Sequence, residues 1–244
     1  MRPVEKLSPG STIFVEGNQE TILQNYDPYG EAKAPLAANI GEYCSYCELR
    51  LQEPAAEHIE HIYPKSNPHY AYLETAWKNF LLSCSACNGA ANKGTQVPPN
   101  GCHLPHVNNT FKSFVYRKGG VVIVNPNLSG PAQINATSLL NLVHLDKGPA
   151  NSTPADKRWL KRSEVWDIAE DTLKDFNAHE VSEKAVINLA RGYGHWSIWF
   201  TIFKGHDSIR KQLIESFAGT AANCFDPNNH YEPIDRNPGS IDPT

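Results

Sequence analysis

Two Cys-x-x-Cys pairs, Cys44-Ser45-Tyr46-Cys47 and Cys84-Ser85-Ala86-Cys87, constrain the fold of this chain more than any other feature of its sequence. A turn of this kind aims two thiolates at one point, and two such turns can close a tetrahedral zinc site. Four ordinary buried thiols are the plain alternative, but two separate pairs with this spacing argue against it. Only Cys102 and Cys224 stand alone, which suits a metal site in a reducing compartment better than a disulfide framework. A site closed by Cys44, Cys47, Cys84 and Cys87 leaves no open position, so zinc there is expected to be structural. Interleaved with the cysteines are His58-Ile59-Glu60-His61-Ile62-Tyr63-Pro64-Lys65, Asn79, Asn88 and Lys93. A histidine, a carboxylate and two asparagines look like parts of a second, open site.

With 244 residues, 40% of them apolar and 20% charged, the chain can bury a substantial core as a globular protein. Its beginning has no apolar leader and no run approaches a bilayer span, which makes the cytoplasm the expected compartment. A net charge of -4 counts against a protein that grips nucleic acid with its whole surface. From Trp77 to Val124, however, there is no acidic residue, while Lys78, Lys93, Lys112, Arg117 and Lys118 are all basic. A solvated basic face is the bland reading; a path for a polyanion beside the second site is the favoured one.

Along the chain, Pro and Gly interrupt residues 1–43, where only Glu31 to Ile40 carries a helical pattern, with Ala32, Leu36 and Ile40 on one side and Gly41 as its stop. Glu57 to Tyr63 reads as a strand, Ala71 to Trp77 as a helical turn and Phe80 to Leu82 as a second strand. Ala86 to Lys93 reads as a short helix with Ser85 as its cap and Gly94 as its stop. Phe111 to Tyr116 and Val121 to Val124, joined through Gly119-Gly120, predict a hairpin. Leu139 to Leu145 is apolar and precedes a Gly/Pro/Ser/Asn-rich linker, Gly148 to Pro154. Three helices follow, over Trp159 to Phe176, Val181 to Phe203 with a kink at Gly192 or Gly194, and around Ile209, Leu213 and Phe217. His69, His103 and His106 read as exposed loop residues.

The order Glu60-His61, Asn79, Asn88, Lys93, woven through the cysteine pairs, resembles the HNH motif of ββα-metal endonucleases. That resemblance implies an α+β fold: a zinc-bound treble-clef, ββα-metal domain followed by a mainly α-helical C-terminal part. It implies that His61 is the general base and that Asn79 holds the loop and the imidazole in place. Glu60 and Asn88 would bind a catalytic Mg²⁺ or Mn²⁺, although Glu stands where many such enzymes have Asp. His58, in phase with Glu60 on a strand, could also reach that ion. The chemistry has its own logic, since an imidazole can activate water near neutral pH and a divalent ion can neutralise a phosphorane. Lys93 could add charge near the phosphate.

The likeness extends to Met1-Arg2-Pro3-Val4, Tyr29-Gly30-Glu31-Ala32-Lys33, Ile40 to Glu48 and Gly219-Thr220-Ala221. These segments resemble the HNH nuclease subunits of Septu-type anti-phage systems, which work with an ABC-type ATPase and also occur in some retron systems. The implied organisation is an arm (1–43), a nuclease domain with its following hairpin (44–125) and a helical domain (126–244) whose aromatic helices offer a partner-docking surface. DNA is the expected substrate, reached over Lys78, Lys93, Lys112, Arg117 and Lys118. RNA such as tRNA, or a zinc-dependent binding module without catalysis, are the alternatives.

Overall fold

The computed structural model describes residues 1–52 and 58–236. Its first element is one the sequence reading missed. Strands β1 (Thr12–Val15) and β2 (Asn18–Thr21) form an antiparallel hairpin around Glu16 and Gly17, both at positive φ (50° and 85°). That pair of left-handed residues is what a two-residue hairpin turn requires. Helix α1 (Lys33–Ile40) follows a 3-10 turn and buries Ala32, Leu36 and Ile40 completely. Gly41, at φ 78°, ends it as expected, with its N–H on the Ala37 carbonyl.

The two cysteine turns are joined through a small hairpin. Strand β3 (His58–His61) pairs antiparallel with β4 (Phe80–Ser83), His61 opposite Phe80 and Glu60 opposite Leu81. Glu57, the first residue of the expected strand, lies outside the described residues. Helix α2 (Ser85–Asn88) follows β4 directly, but it is shorter than the pattern predicts, and its cap is Cys84, not Ser85. The Cys84 sulfur accepts the Cys87 N–H at 3.4 Å, the local signature of a cysteine knuckle. Gly89 breaks the helix; a Cβ there would lie 2.9 Å from the Ser85 carbonyl.

Further along, a helical turn, α3 (Thr110–Ser113), replaces the start of the predicted hairpin, which forms as β5 (Phe114–Arg117) and β6 (Val121–Val124). Gly120 at its turn is pressed so closely under the Trp159 carbonyl that a Cβ would overlap it. The apolar segment near Leu139 proves to be the end of α4 (Gly130–Val143), opened by Pro131. Helix α5 (Arg158–Asn177) is followed by α6 (Glu183–Tyr193) and α7 (Trp196–Ile202), separated at Gly194-His195 where a kink is expected. Helix α8 (Asp207–Ser216) precedes a last short pairing of β7 (Phe225–Asp226) with β8 (Glu232–Pro233).

The described part is thus a mixed α and β structure of four two-stranded sheets among helices. Buried apolar side chains from the first segment, the cysteine region and the late helices form one continuous cluster. Trp196, Trp199, Phe200 and Phe203 lie inside it, at most 1% exposed, so these aromatic residues are core. No helix of the described residues is long and apolar enough to cross a membrane.

Candidate metal centre and the histidine strand

Cys44, Cys47, Cys84 and Cys87 converge, with all four sulfurs within 4.8 Å of one another and all four residues buried. The Cys47–Cys84 separation is 3.7 Å. A zinc tetrahedron with bonds of about 2.3 Å has sulfur–sulfur edges of about 3.8 Å, so the donor set fits zinc in chemistry and in size. Left to themselves, four thiols this close cannot all ionise. Hydrogen bonding to Cys44 pushes the Cys47 and Cys87 thiols up, while donation from Cys44 and the other two holds Cys84 far down as the acceptor. A bound cation would resolve that conflict by stabilising every thiolate.

The shell around the cysteines comes from both ends of the chain. Arg158, at the start of α5, donates to the Cys87 sulfur at 3.2 Å, to the Val143 carbonyl and to Asn92, and pairs with Asp156 at 2.7 Å. Glu48, just after the first pair, is buried at φ 65° and accepts from the N–H of Arg2 (2.6 Å) and from the N–H and hydroxyl of Ser197 on α7. These contacts seat the first knuckle on the helical layer. Arg158 carries no sequence signal, and Glu48, although it closes the Ile40 to Glu48 segment of the resemblance, has no role assigned to it there.

Strand β3 sends its side chains to opposite faces, which separates two residues expected to act together. Glu60 turns inward, 1% exposed, with its Oε1 at 2.5 Å from the Lys93 ammonium and accepting from the Tyr46 hydroxyl at 3.3 Å. Burial raises its carboxyl to about 6, although Lys93 and Tyr46 pull the other way. Lys93 is fully buried and also donates to the His61 carbonyl at 3.0 Å. With no exposed surface, Lys93 is an internal counter-ion to Glu60, where the expectation was a charge near the phosphate. The Glu60 carboxylate, expected to hold a divalent ion with Asn88 and His58, is thus engaged by the Lys93 ammonium. Asn88 ends α2 half-buried, and His58 lies half-buried on the Glu60 face.

His61 faces the other way. Its ring meets Tyr29 edge-on at 4.9 Å and Phe80 at 5.2 Å, and its Nε2 is 2.8 Å from the Glu74 carbonyl. Partial burial lowers its pKa below the usual range, the Glu74 carbonyl opposing and Lys65 assisting. Asn79 clamps the loop after β3: its Oδ1 accepts from the Tyr63 N–H at 2.8 Å, and its Nδ2 donates to the carbonyls of Tyr63 (2.9 Å) and Leu73 (3.2 Å). Lys65, ion-paired with Glu74 and lying 4.0 Å above the Tyr29 ring, completes the surroundings and was not foreseen.

The acid-free stretch is neutralised by acids from elsewhere in the fold. Lys112 pairs with Asp235, and Lys118 with Glu170 and Asp167, leaving Lys78 and Arg117 exposed without an ion pair among the described residues. The sequence could not show this, because the partners lie far along the chain. His103 is likewise fully buried, bonded to Ser113 at 3.0 Å, rather than exposed, and His106 is half-buried with its pKa lowered to about 3 by that burial; His69 is exposed as expected.

No protein-family profile matches the chain. It is similar to the Septu protein PtuB of Bacillus thuringiensis, with 45% identity over 93 residues covering 36% of this chain and 35% of the relative. It is also similar to the Septu protein PtuB of Bacillus mycoides, 24% identical over 151 residues, 57% of this chain and 49% of that protein. The chain is thus matched over between a third and a half of the length of these curated relatives.

Proposed function

We propose that this chain is the nuclease component of a Septu-type anti-phage system, hydrolysing phosphodiester bonds at His61. The observation that carries this reading is the setting of that imidazole. A carbonyl only accepts, so the 2.8 Å contact of Nε2 with the Glu74 oxygen places the hydrogen on Nε2 and leaves the Nδ1 lone pair as the base. The lowered pKa keeps the ring neutral at physiological pH, as water activation requires. Asn79 fixes the loop that follows His61, and the cysteine knuckle fixes the helix that follows the hairpin. The order of two antiparallel strands and a helix, braced by four cysteines, supports the HNH ββα-metal assignment, and the partial similarity to PtuB proteins supports the defence setting. In this reading the chain works in the cytoplasm with an ATPase subunit.

His61 Nδ1 takes the proton of a water attacking phosphorus as the P–O bond to one sugar oxygen breaks; the Glu74 carbonyl stabilises the imidazolium that forms, the leaving oxygen takes a proton from solvent, and the imidazolium returns its proton to solvent. No step is assigned to a divalent ion at Glu60. The test is incubation of the chain, alone and with a neighbouring ATPase, with plasmid DNA and with total tRNA, with and without added Mg²⁺. Cleavage that disappears in His61→Ala while the fold persists supports the reading. Undiminished cleavage in that variant refutes it. The engagement of Glu60 by Lys93 favours, as a second reading, a zinc-braced binding module. That reading holds if His61→Ala keeps protection against phage and Cys84→Ser removes it.

A further inference from the structure

The loop between β3 and β4 carries four aromatic rings close together in sequence, Tyr63, His69, Tyr70 and Tyr72. Tyr63 and Tyr70 lie against one another with ring centroids 4.9 Å apart and a tilt of 35°, and His69 meets Tyr70 edge-on at 6.0 Å. Tyr72 is 74% exposed. His69 is exposed too, whereas Tyr63 and Tyr70 are half-buried. The backbone that presents these rings is fixed in advance. Asn79 holds both polar groups of Tyr63 and the carbonyl of Leu73, and turn bonds join Tyr70 N–H to Asn67 and Leu73 N–H to Tyr70. The same Asn79 clamp sets the chain just after His61, so the rings and the imidazole are held by one device. Positive charge is at hand in Lys65, although Glu74 shares it, and in exposed Lys78.

From this we infer that the Tyr63-His69-Tyr70-Tyr72 loop is a stacking platform for unpaired bases, so that the substrate of the His61 site is a single-stranded or looped-out nucleic acid segment. The inference rests on the nuclease reading for its link to cleavage, and it deepens that reading by naming the substrate class. Exposed His69 and Tyr72 beside half-buried Tyr63 and Tyr70, with lysines near them in the chain, suit a strand whose bases are free to stack, because every base offers a π-face. A duplex keeps its bases inside the helix and offers such rings only backbone. The basic strip that a duplex would need is largely paired internally, through Lys93, Lys112 and Lys118.

The test is fluorescence anisotropy of the full chain with labelled oligothymidylate and oligouridylate of about 20 nucleotides and with the matching duplexes, without added divalent cation. Single strands of either sugar should bind at least about 10-fold tighter than duplex, and Tyr72→Ala should weaken them by about 5- to 100-fold, with Tyr72→Phe close to wild type. Tyr72 is so exposed that its truncation leaves the fold intact, which a thermal melt verifies. Equal or tighter binding of duplex, no binding of either form, or an unchanged Tyr72→Ala overturns the platform. Single-strand binding without any cleavage sinks the hydrolytic reading and leaves the platform standing; cleavage without strand preference does the reverse.

Discussion

Replacing Lys93 with methionine should unbalance the interior without removing much packing. The ammonium lies 2.5 Å from Glu60, with Lys93 fully buried and Glu60 1% exposed, so the change strands a carboxylate where water cannot reach it. Removing one partner of a buried pair typically costs about 3–5 kcal/mol. For a chain of this size that corresponds to a drop in melting temperature of roughly 6–20 °C. The penalty has a pH signature. Burial has already raised the Glu60 carboxyl to about 6 with Lys93 opposing the rise, and without Lys93 it must go higher. A carboxyl raised in the folded state binds its proton more tightly there than in the unfolded chain. Acidification through 6 therefore favours the fold, and more so in the variant.

Urea unfolding of wild type and Lys93→Met at pH 8 and pH 5, with zinc saturating, measures this directly. The difference between the two proteins should be about 3–5 kcal/mol at pH 8 and shrink by at least half at pH 5. The cysteines are common to both proteins, so their titration cancels in the difference. Adding Glu60→Gln to the variant should recover most of the loss at pH 8, apart from about 1 kcal/mol for the lost bond to the His61 carbonyl. A penalty under about 1 kcal/mol at pH 8, or one that does not change with pH, would show that Glu60 is not a stranded charge.

Cys47→Ser or Cys87→Ser should prevent stable folding, because structural zinc contributes on the order of 10 kcal/mol in small zinc modules; metal analysis of the wild type should give one zinc per chain, and a strong chelator should lower its melting temperature. Asn79→Ala removes three hydrogen bonds around Tyr63 and Leu73 and should cost about 2–3 kcal/mol. It should also slow cleavage by loosening the His61 loop, and an unchanged rate in a folded variant would detach Asn79 from that role. Gly194→Ala should be among the most damaging small substitutions, since its Cβ would stand 2.6 Å from the Glu48 carbonyl at a φ of 72°; circular dichroism melts decide it.

What could be read from the sequence follows from the range of the interactions involved. The cysteine pairs announce their geometry locally, because a knuckle needs only a few residues, and their convergence is visible in the fold. The stop of α1 at Gly41 and the break at Gly194 are legible for the same reason. The hairpin at Glu16-Gly17 was hidden because Glu is an unusual residue at positive φ, and only the strands' pairing makes it settle there. Long-range pairing defeated the charge argument. An acid-free stretch looks like an open basic face until Asp235, Glu170 and Asp167 arrive from elsewhere in the chain. Glu60 shows the same effect at the candidate site. Adjacency to His61 suggested cooperation, but a strand sends neighbours to opposite faces, and the residue that meets Glu60 is Lys93, beyond the second cysteine pair. The chemistry of His61 therefore has to be argued from Glu74, Tyr29 and Asn79, none of which stands beside it in the sequence.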